Sequence, residues 1–488
     1  MPLRTDLDPS DWASLRQQGH RMLDDMFDHL QTLREHPVWQ PIPQALRQAF
    51  REPLPEQGQP LAALHERFMA QVLPYSVGNA HPRFMGWVQG GGTPEGMLAE
   101  MLAAGLNANL GGRDQMPLEV ERQVVHWMAE LFGFPADASG LFVTGSSMAN
   151  FLGLLVARTR VLGPGSRRSG VAALPAPLVA YAAATAHGCI AQAMAMAGLG
   201  SDALRRVPVD GRHRMDLAAL ACMVAADRDA GLQPFLVVGT AGTVDVGAVD
   251  DLAGIAALAG RERLWFHVDG ALGALGMLSP EVAPLLAGIE QADSIALDFH
   301  KWGQVPYDAG FVLVRHADAQ LEAFASPEAY LARHTRGLAA GSPWPCDLGP
   351  DLSRGFRALK TWFTFMSHGR ERLGAAIAHT CRLARYLEQR LAQSPRLEVL
   401  APVALNIVCF GLRGVDAEQV HPELVADLQE SGVAVPSTTR VNGRTVIRVA
   451  IVNHRTTSAD IDALFEAVLA WADTHRIRYP LRLEAATA

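Results

Sequence analysis

Lysine is almost absent from this 488-residue sequence, which contains Lys301 and Lys360 against forty arginines. Arginine can replace lysine in most solvated ion pairs. It cannot do so where a neutral amine must attack a carbonyl group, because the guanidinium group stays protonated at any working pH. Lys301 follows the largely apolar run 294–299, whose pattern predicts a buried strand. We therefore interpret Lys301 as a candidate Schiff-base nucleophile, the alternative being a surface lysine that extends from the strand end into solvent.

Cysteine is also scarce, and the spacing of the cysteines is not that of a zinc site or a disulfide scaffold, so no metal site is expected. Their odd number fits a reducing, cytoplasmic location. The first residues lack the order of a signal peptide. The five cysteines are Cys189, Cys222, Cys346, Cys381 and Cys409.

The chain has no excess of positive charge, since its net charge is −8 and its pI is about 6.1. A nucleic-acid partner is therefore not expected, because it would need a clustered basic face. The segment 169–201 has no charged side chain, but prolines and glycines interrupt it and alanine is abundant in it. It lacks the apolar run of about 20 residues that a membrane helix needs, so we expect no membrane partner either.

The middle of the chain alternates apolar, strand-like runs with helical stretches, including helices at 148–158 and 249–260. This alternation predicts an α/β domain with a mostly parallel sheet. The predicted strands are 141–144, 178–183, 235–239, 264–268, 294–297 and 310–314.

Two further regions flank this domain. The first begins with a helix that Ser10 caps and that runs to about Arg34, followed by a proline-rich connector and a second helix from about Leu61. This region has too little apolar surface for its own core. We therefore expect it to pack on another surface, such as a partner subunit. After the central domain, a helical pattern leads into alternating strands and a closing helix, which predicts a smaller α+β domain. Its predicted elements are a helix at 357–391, strands at 397–412, 433–436 and 445–452, and a helix at 458–474.

Polar residues follow four of the predicted central strands, and Lys301, described above, is one of them. Active sites of such sheets collect at these strand ends. Gly145, Ser146 and Ser147 follow the first strand and suit a phosphate group at a helix start, the alternative being an ordinary serine cap. Asp269 follows five largely apolar residues, so its carboxylate is either buried and in need of a cationic partner or bonded to nearby amides in a turn. His187 ends the uncharged segment and is either a ring-stacking residue or a hydrogen-bonded core histidine.

Together, these residues offer a phosphate-binding site, a carboxylate for a protonated ring nitrogen and an amine for an aldehyde. Pyridoxal 5'-phosphate carries all three of these groups. The chain also resembles, over nearly its whole length, the group II pyridoxal-phosphate decarboxylases, which include aromatic-L-amino-acid decarboxylase. The segments that carry this resemblance are His81-Pro-Arg-Phe-Met-Gly-Trp87, Gly90-Gly-Gly-Thr-Pro94, Thr144-Gly-Ser-Ser-Met-Ala-Asn150, His187-Gly-Cys189, Gly239-Thr-Ala-Gly-Thr-Val244, His267-Val-Asp-Gly-Ala271, Asp298-Phe-His-Lys-Trp302, Arg354-Gly-Phe-Arg-Ala-Leu-Lys-Thr-Trp-Phe363 and Ile447-Arg-Val-Ala-Ile-Val-Asn453.

The resemblance implies roles for single residues. Lys301, His187 and Asp269 are the implied catalytic residues: Lys301 forms the aldimine with the cofactor, His187 stacks on the ring and Asp269 pairs with the ring nitrogen. The implied cofactor contacts are Ser146, Ser147, His187, Thr243, Val244, Asp269, Ala271, Asp298, His300 and Lys301, and the candidate substrate contacts are Trp87, Gly90 and Arg354.

The resemblance also implies a fold and an assembly. The fold is that of the type I, aspartate aminotransferase-like transferases, with a parallel-rich seven-stranded sheet in the large domain and a small α+β C-terminal domain. We expect a homodimer in which residues 1–85 pack on the partner subunit, residues 86–372 form the cofactor-binding domain and residues 373–488 form the small domain.

The implied reaction is decarboxylation of an L-amino acid, with aromatic substrates favoured, to the amine through a quinonoid intermediate. One difference from aromatic decarboxylases leaves an alternative open: the loop 341–350, where they carry a tyrosine that protonates the substrate carbon, has none, and Tyr307 and Tyr330 are the nearest. Relatives that lack this tyrosine can divert the reaction to oxygen and release an aldehyde, ammonia and peroxide. A third alternative is a catalytically idle protein of this fold that acts in binding.

Overall fold

The computed structural model describes residues 6–171, 176–325 and 334–475. Within them, seven strands form one sheet in the order β1-β7-β6-β5-β4-β2-β3, in which β7 alone runs against the others. This confirms the predicted α/β fold with a parallel-rich sheet. The strands are β1 Ser139–Val143, β2 Leu178–Ala183, β3 Leu204–Val207, β4 Gln233–Thr240, β5 Trp265–Asp269, β6 Ser294–Asp298 and β7 Gly310–Val314.

Six of these strands were predicted from the sequence, and β3 was missed. β3 is a four-residue edge strand whose central residues, Arg205 and Arg206, are not buried. A short edge strand with one covered side does not show the continuous apolar run that marks the central strands.

Helices cover both faces of the sheet, and successive strand residues point to opposite faces. Leu236 and Val238 of β4 belong to one apolar core, whereas Val237 belongs to the core on the opposite face. Helices α6 and α8 pack on the first face, and α5, α9 and α10 pack on the second. The helices of this region are α4 Pro94–Leu106, α5 Met116–Leu131, α6 Ser146–Leu162, α7 Ser166–Ser169, α8 Cys189–Met196, α9 Leu217–Asp229, α10 Leu252–Glu262 and α11 Ala317–Phe324.

A second, antiparallel sheet of order β10-β11-β9-β8 lies in the C-terminal part of the described chain. The predicted strand 433–436 was wrong, and the strand begins at Ser437 instead. Val435 exchanges main-chain hydrogen bonds with Arg83 and Met85 of the N-terminal part, and so does not join the sheet. The elements here are β8 Leu397–Val399, β9 Ile407–Leu412, α13 Ala417–Glu430, β10 Ser437–Val441, β11 Arg444–Ala450 and α14 Ser458–Thr474.

Helix α12, Arg357–Ala392, links the two regions and matches the predicted helix closely. It is interrupted at Gly369, which has φ 66° and ψ 169°. A positive φ of this kind is accessible to glycine and strained for other residues, so the glycine separates two helical segments. The break lies near the boundary at residue 372 that the sequence predicts, and this boundary stays a prediction.

The N-terminal helices are α1 Trp12–Gln31, α2 Gln44–Ala49 and α3 Leu61–Gln71. Asp11, not Ser10, caps α1, because its carboxylate accepts hydrogen bonds from the amides of Ala13 and Ser14 at 2.9 and 3.1 Å. None of the residues of α1, all of which are described, is buried. In the described part of the chain, every helix is too short or too polar to span a bilayer.

Candidate active site

The predicted site residues meet at one edge of the large sheet. The carboxyl ends of β1, β2, β4, β5 and β6 share this edge, because these strands run in the same direction. Gly310, the first residue of the reversed strand β7, pairs with Asp298 at the same edge. Open α/β sheets place their ligands here, beyond the carboxyl ends of the strands.

Lys301 lies just beyond β6, and its ε-amino nitrogen is 2.8 Å from Oδ2 of Asp298. The other carboxylate oxygen of Asp298 accepts a hydrogen bond from the amide of Ser146 at 2.7 Å. Burial by itself would raise the pKa of Asp298, but the Lys301 ammonium group and these hydrogen bonds hold that pKa below its usual value. Since the Lys301 side chain is 19% exposed and held by a buried acid, it is not the solvated surface lysine of the alternative interpretation.

His300 is buried beside Lys301. Its Nδ1 accepts a hydrogen bond from the amide of Ala309 at 3.0 Å, and its Nε2 lies 3.6 Å from Asp298. Burial lowers the pKa of His300, so the ring is neutral at pH 7. The ring of Tyr307 lies over it, with the two centroids 4.1 Å apart. Burial, with the charge of Asp298, raises the pKa of Tyr307, so its hydroxyl keeps its proton.

Gly90 packs directly against the backbone of the candidate nucleophile. Its amide donates to the carbonyl oxygen of His300 at 3.0 Å. A Cβ atom on Gly90 would lie 2.4 Å from the carbonyl oxygen of Lys301, which is too close for any side chain. The structure therefore brings Gly90 to the site, and Trp87, three residues earlier and 48% exposed, lies on the same segment.

Asp269 ends β5 and is 4% exposed. Its carboxylate accepts a hydrogen bond from the amide of Ala271 at 3.2 Å. Burial raises the pKa of Asp269, and the Lys301 charge and the side chain of Asn150 act against that rise. No Lys, Arg or His nitrogen of the described residues comes within 4.0 Å of it. A buried carboxylate without an ion pair suits a protonated ring nitrogen, as pyridoxal phosphate carries.

Ser146 and Ser147 begin α6, directly after the turn at Gly145. The N-cap residue is Gly145, which has no side chain, so the ordinary serine cap of the alternative interpretation does not hold. Ser146 is buried and Ser147 is exposed. The Asp298 carboxylate occupies the amide of Ser146, and the rest of this helix N-terminus, with its two hydroxyl groups, can accept a phosphate group. The residues present thus fit the cofactor at its amine, ring and phosphate contacts.

The other predicted cofactor contacts lie at neighbouring strand ends. His187 is exposed beyond β2, and its Nδ1 accepts a hydrogen bond from the amide of Cys189 at 3.1 Å, so it is not a core histidine. Thr243 is buried beyond β4, and its hydroxyl accepts from the amide of Ala248 at 3.0 Å. Val244 follows it and is partly exposed.

The prediction that Arg354 contacts the substrate is wrong, because its guanidinium group is buried in an ion pair. It is 3% exposed and forms an ion pair with Glu121 at 2.6 Å. Its guanidinium group also donates to the carbonyl oxygens of Leu110 and Phe142 at 2.9 and 3.0 Å. Arg354 therefore ties β1, α5 and the start of α12 together.

The sequence interpretation left three buried residues near this edge without a role. Lys360, the second lysine, is 2% exposed and bonds the carbonyl oxygen of Tyr307 at 3.0 Å. Asn150 and His267 are joined at 2.8 Å on the α6 face of β5. A signal for this pair was present, because His267 and Asp269 are two apart on a strand, and Ser146 and Asn150 are four apart on a helix. Each pair therefore shares one face.

Known proteins are similar to this chain over most of its length. Residues 43–413 match the family model described as the pyridoxal-dependent decarboxylase conserved domain. The aromatic-L-amino-acid decarboxylase of Bacillus atrophaeus is 32% identical over 477 residues, covering 96% of this chain and 97% of that protein. The phenylacetaldehyde synthase of Arabidopsis thaliana is 29% identical over 464 residues, covering 91% and 93%.

A solved structure is similar over almost the same length. The crystal structure of mouse CSAD superposes with a TM-score of 0.88 at 26% identity, covering 94% of this chain and 99% of that one. The chain therefore belongs to the pyridoxal-dependent decarboxylase family, and it is a carboxy-lyase whose cofactor is pyridoxal phosphate.

Proposed function

We propose that this protein decarboxylates an aromatic L-amino acid to the corresponding amine, with Lys301 as the residue that holds the cofactor. The observation that carries this proposal is the position of the Lys301 amine, 2.8 Å from Asp298 at the same sheet edge as the buried carboxylate of Asp269. The similarity to a bacterial aromatic decarboxylase over nearly both chains supports the substrate class. Trp87, which is 48% exposed on the segment leading to Gly90, offers an aromatic side chain a contact surface, whereas Phe84 and Val88 are buried in the core.

When bound, pyridoxal phosphate supplies an aldehyde for the substrate amine and a ring that accepts the electrons left by the departing carbon dioxide. Asp269 would hold the proton on the ring nitrogen, and raising the pKa of that nitrogen by roughly 3 units needs about 4 kcal/mol. Asp298 orients the Lys301 amine, and Ser146 fixes Asp298 through its amide. The contact between Gly90 and the Lys301 carbonyl oxygen fixes the backbone from which the amine extends.

A second outcome, release of an aldehyde, is favoured by one specific feature. The loop 341–350 contains no tyrosine, and its Trp344 is 1% exposed and donates to the carbonyl oxygen of Ala340 at 2.8 Å. This packed tryptophan offers no acid to a substrate, and Tyr330 lies outside the described residues. The similarity to a phenylacetaldehyde synthase supports this alternative.

Product analysis tests both outcomes together. The purified protein is incubated with each standard amino acid, and carbon dioxide, amine, aldehyde and peroxide are measured, with Lys301→Ala as the control. We expect carbon dioxide and amine from aromatic substrates. Aldehyde with an equal amount of peroxide would favour the second outcome. Carbon dioxide release from no amino acid, unchanged by Lys301→Ala, would favour an idle binding protein.

We also propose that the protein is a cytoplasmic homodimer, with residues 1–85 packing on the partner subunit. Large apolar side chains of α1, α3 and α4 are exposed in the single chain, and a second copy would cover them. They are Leu15, Phe27, Leu61, Leu64, Phe68, Met101, Leu102 and Leu106. Light scattering is expected to give twice the chain mass of 52.5 kDa, and a monomer at micromolar concentration would contradict the proposal.

A further inference from the structure

A buried chain of hydrogen bonds runs beneath the site and ends at Asn150, whose side chain lowers the pKa of Asp269. We propose that Asn150 is a positioning residue for Asp269, and that a one-way chain of donors from Trp265 through Ser294 and His267 holds the Asn150 amide with its N–H side toward the carboxylate. This role presupposes that Asp269 contacts the ring nitrogen of the cofactor, as proposed above.

Three links between Trp265 and Asn150 have ordinary hydrogen-bond lengths. Trp265 Nε1 lies 2.8 Å from Ser294 Oγ, and Ser294 Oγ lies 2.7 Å from His267 Nδ1. His267 Nε2 lies 2.8 Å from Asn150 Oδ1. The Asn150 side chain acts on Asp269 by lowering the pKa of its carboxyl, and the Asn150 Nδ2 lies 3.5 Å from the sulfur of Cys189.

The chemistry of its members gives this chain one direction. An indole N–H can only donate, so Ser294 accepts from Trp265 and has its own proton left to donate. Burial lowers the pKa of His267 to about 3, so the ring is neutral and carries one proton. If Ser294 donates to Nδ1, that proton is on Nε2 and is donated to Oδ1 of Asn150. The Asn150 amide group is then left to donate to the acceptor-only carboxylate of Asp269.

The opposite direction fails at both ends. If Asn150 donated to His267, the His267 ring would have to donate to Ser294. The hydroxyl proton of Ser294 would then have no acceptor among the members of this hydrogen-bond chain. The carbonyl oxygen of Asn150 would also face the carboxylate of Asp269, placing two acceptors together. An unsatisfied buried donor and an acceptor pair are both costly in a dry interior. The chain therefore specifies which side of Asn150 faces Asp269.

Gly153 makes room for this chain in the middle of α6. A Cβ atom on Gly153 would lie 2.7 Å from Cε1 and 2.8 Å from Nδ1 of the His267 ring. Glycine is unfavourable inside a helix, so its presence here needs a reason. Asn150 and Gly153 share the helix face that packs on β5, and Trp265, His267 and Asp269 share the facing side of that strand. The spacing of these residues on α6 and on β5 therefore places them on the two surfaces that face each other.

The expected consequence is a stronger contact between Asp269 and a protonated ring nitrogen. Asp269 is buried, and burial disfavours its charged form. A hydrogen bond to a charged group is strong enough to change an equilibrium by about 10- to 100-fold. Loss of the Asn150 donor should therefore weaken binding of a cofactor with a ring nitrogen by that factor.

The test compares two cofactors in the reconstituted protein: pyridoxal phosphate and its analogue in which a C–H group replaces the ring nitrogen. Dissociation constants are measured by absorbance titration. The native protein should prefer pyridoxal phosphate. Asn150→Leu and His267→Leu should lower this preference about 10-fold or more, because the analogue makes no ring-nitrogen contact to lose. His267→Gln, which can accept from Ser294 and donate to Asn150, should restore it.

Matched variants separate this role from a general loss of packing. Ser294→Ala interrupts the chain and should reduce the preference, whereas Ser139→Ala removes a buried serine hydroxyl of the same sheet that bonds Gln320 at 2.5 Å and should leave it unchanged. Gly153→Ala suits a helix but intrudes on His267, so it should reduce the preference even if Asn150→Leu does not fold.

Two results would overturn the proposed role. In the first, Asn150→Leu weakens the binding of both cofactors equally. In the second, Asn150→Leu weakens the binding of neither cofactor. Gly153→Ala replaces Asn150→Leu in this test if the latter does not fold. A native protein that binds the two cofactors equally well would instead remove the role of Asp269 itself, and with it the proposed function. The two failures are therefore distinguishable.

Discussion

The ε-amino group of Lys301 lies 2.8 Å from the carboxylate of Asp298, three residues earlier in the chain. Asp298 ends a buried strand, and the amide of Ser146, from a segment 152 residues away, fixes its other oxygen at 2.7 Å. The amine is thus positioned by a carboxylate that is itself held by the start of α6. Asp269 lies on the neighbouring strand and is left for a different partner.

Replacement of Lys301 by alanine should abolish turnover, with a loss on the order of 1,000-fold or more, because no other group can supply the amine. Borohydride reduction of the native protein, followed by peptide mapping, should find the cofactor on the peptide that contains residue 301. A native protein labelled at Lys360 would contradict the assignment.

Asp298→Asn should lower cofactor occupancy and kcat/KM by roughly 10- to 100-fold, because the Lys301 amine loses its ionic partner while the side-chain shape is kept. The pKa of Asp298 is held below its usual value, so in the native protein this ion pair is present at neutral pH and is lost only as the pH falls through that lowered pKa. The measurements are absorbance of the bound cofactor and steady-state kinetics.

A surface carboxylate provides the control for that substitution. Asp318 pairs with Arg160 at 3.2 Å, but its side chain is 62% exposed. Asp318→Asn should leave occupancy and kinetics within about twofold of the native values, since exposed ion pairs contribute little. Equal effects of the two variants would show that the Lys301–Asp298 contact has no special role.

Gly90→Ala should reduce turnover by about 10-fold or more, because its methyl group would overlap the carbonyl oxygen of Lys301 and displace the amine. Gly260→Ala is the matched control: Gly260 lies in α10, has no atoms within 4 Å of a Cβ position, and should be neutral or stabilise the protein by roughly 0.5–1 kcal/mol. Both turnover and thermal unfolding are measured. A Gly90→Ala protein with native turnover would refute the tight contact.

Acid stability should depend on His267. Burial lowers its pKa from 6.5 to about 3, so between these values the unfolded chain binds a proton that the folded chain does not. The free energy of unfolding should therefore fall by about 1.4 kcal/mol for each pH unit of acidification in this window from His267 alone. Urea unfolding at pH 7, 6 and 5 measures this slope.

His267→Gln should reduce that slope by the same amount, because glutamine does not titrate. Ser139→Ala, which removes a buried hydroxyl group of the same sheet and no titrating group, should leave the slope unchanged. Parallel pH profiles for the native and His267→Gln proteins would mean that His267 is not buried as a neutral ring.

The sequence predicted the strand ends well because each combines an apolar run with an abrupt polar residue. Lys301, Asp269 and Ser146 could be found this way, since the signal is local. The pairing of Asn150 with His267 joins residues 117 apart. Local spacing places each residue on one face of its own element, but which faces meet depends on how α6 packs on β5. Arg354 was misassigned for the same reason, because its partner Glu121 lies 233 residues away.

Because Lys360 is buried, amine labelling can measure the fraction of the protein that holds the cofactor. Its ammonium group is 2% exposed and is bonded to the carbonyl oxygen of Tyr307 and to Glu100, both at 3.0 Å. An amine-acylating reagent applied to the folded protein can therefore modify, apart from the α-amino group, only the amine at residue 301. Molecules that hold the cofactor there are labelled at the α-amino group alone, and the others gain a second label, so the mass spectrum of the intact protein counts the loaded fraction directly, without digestion.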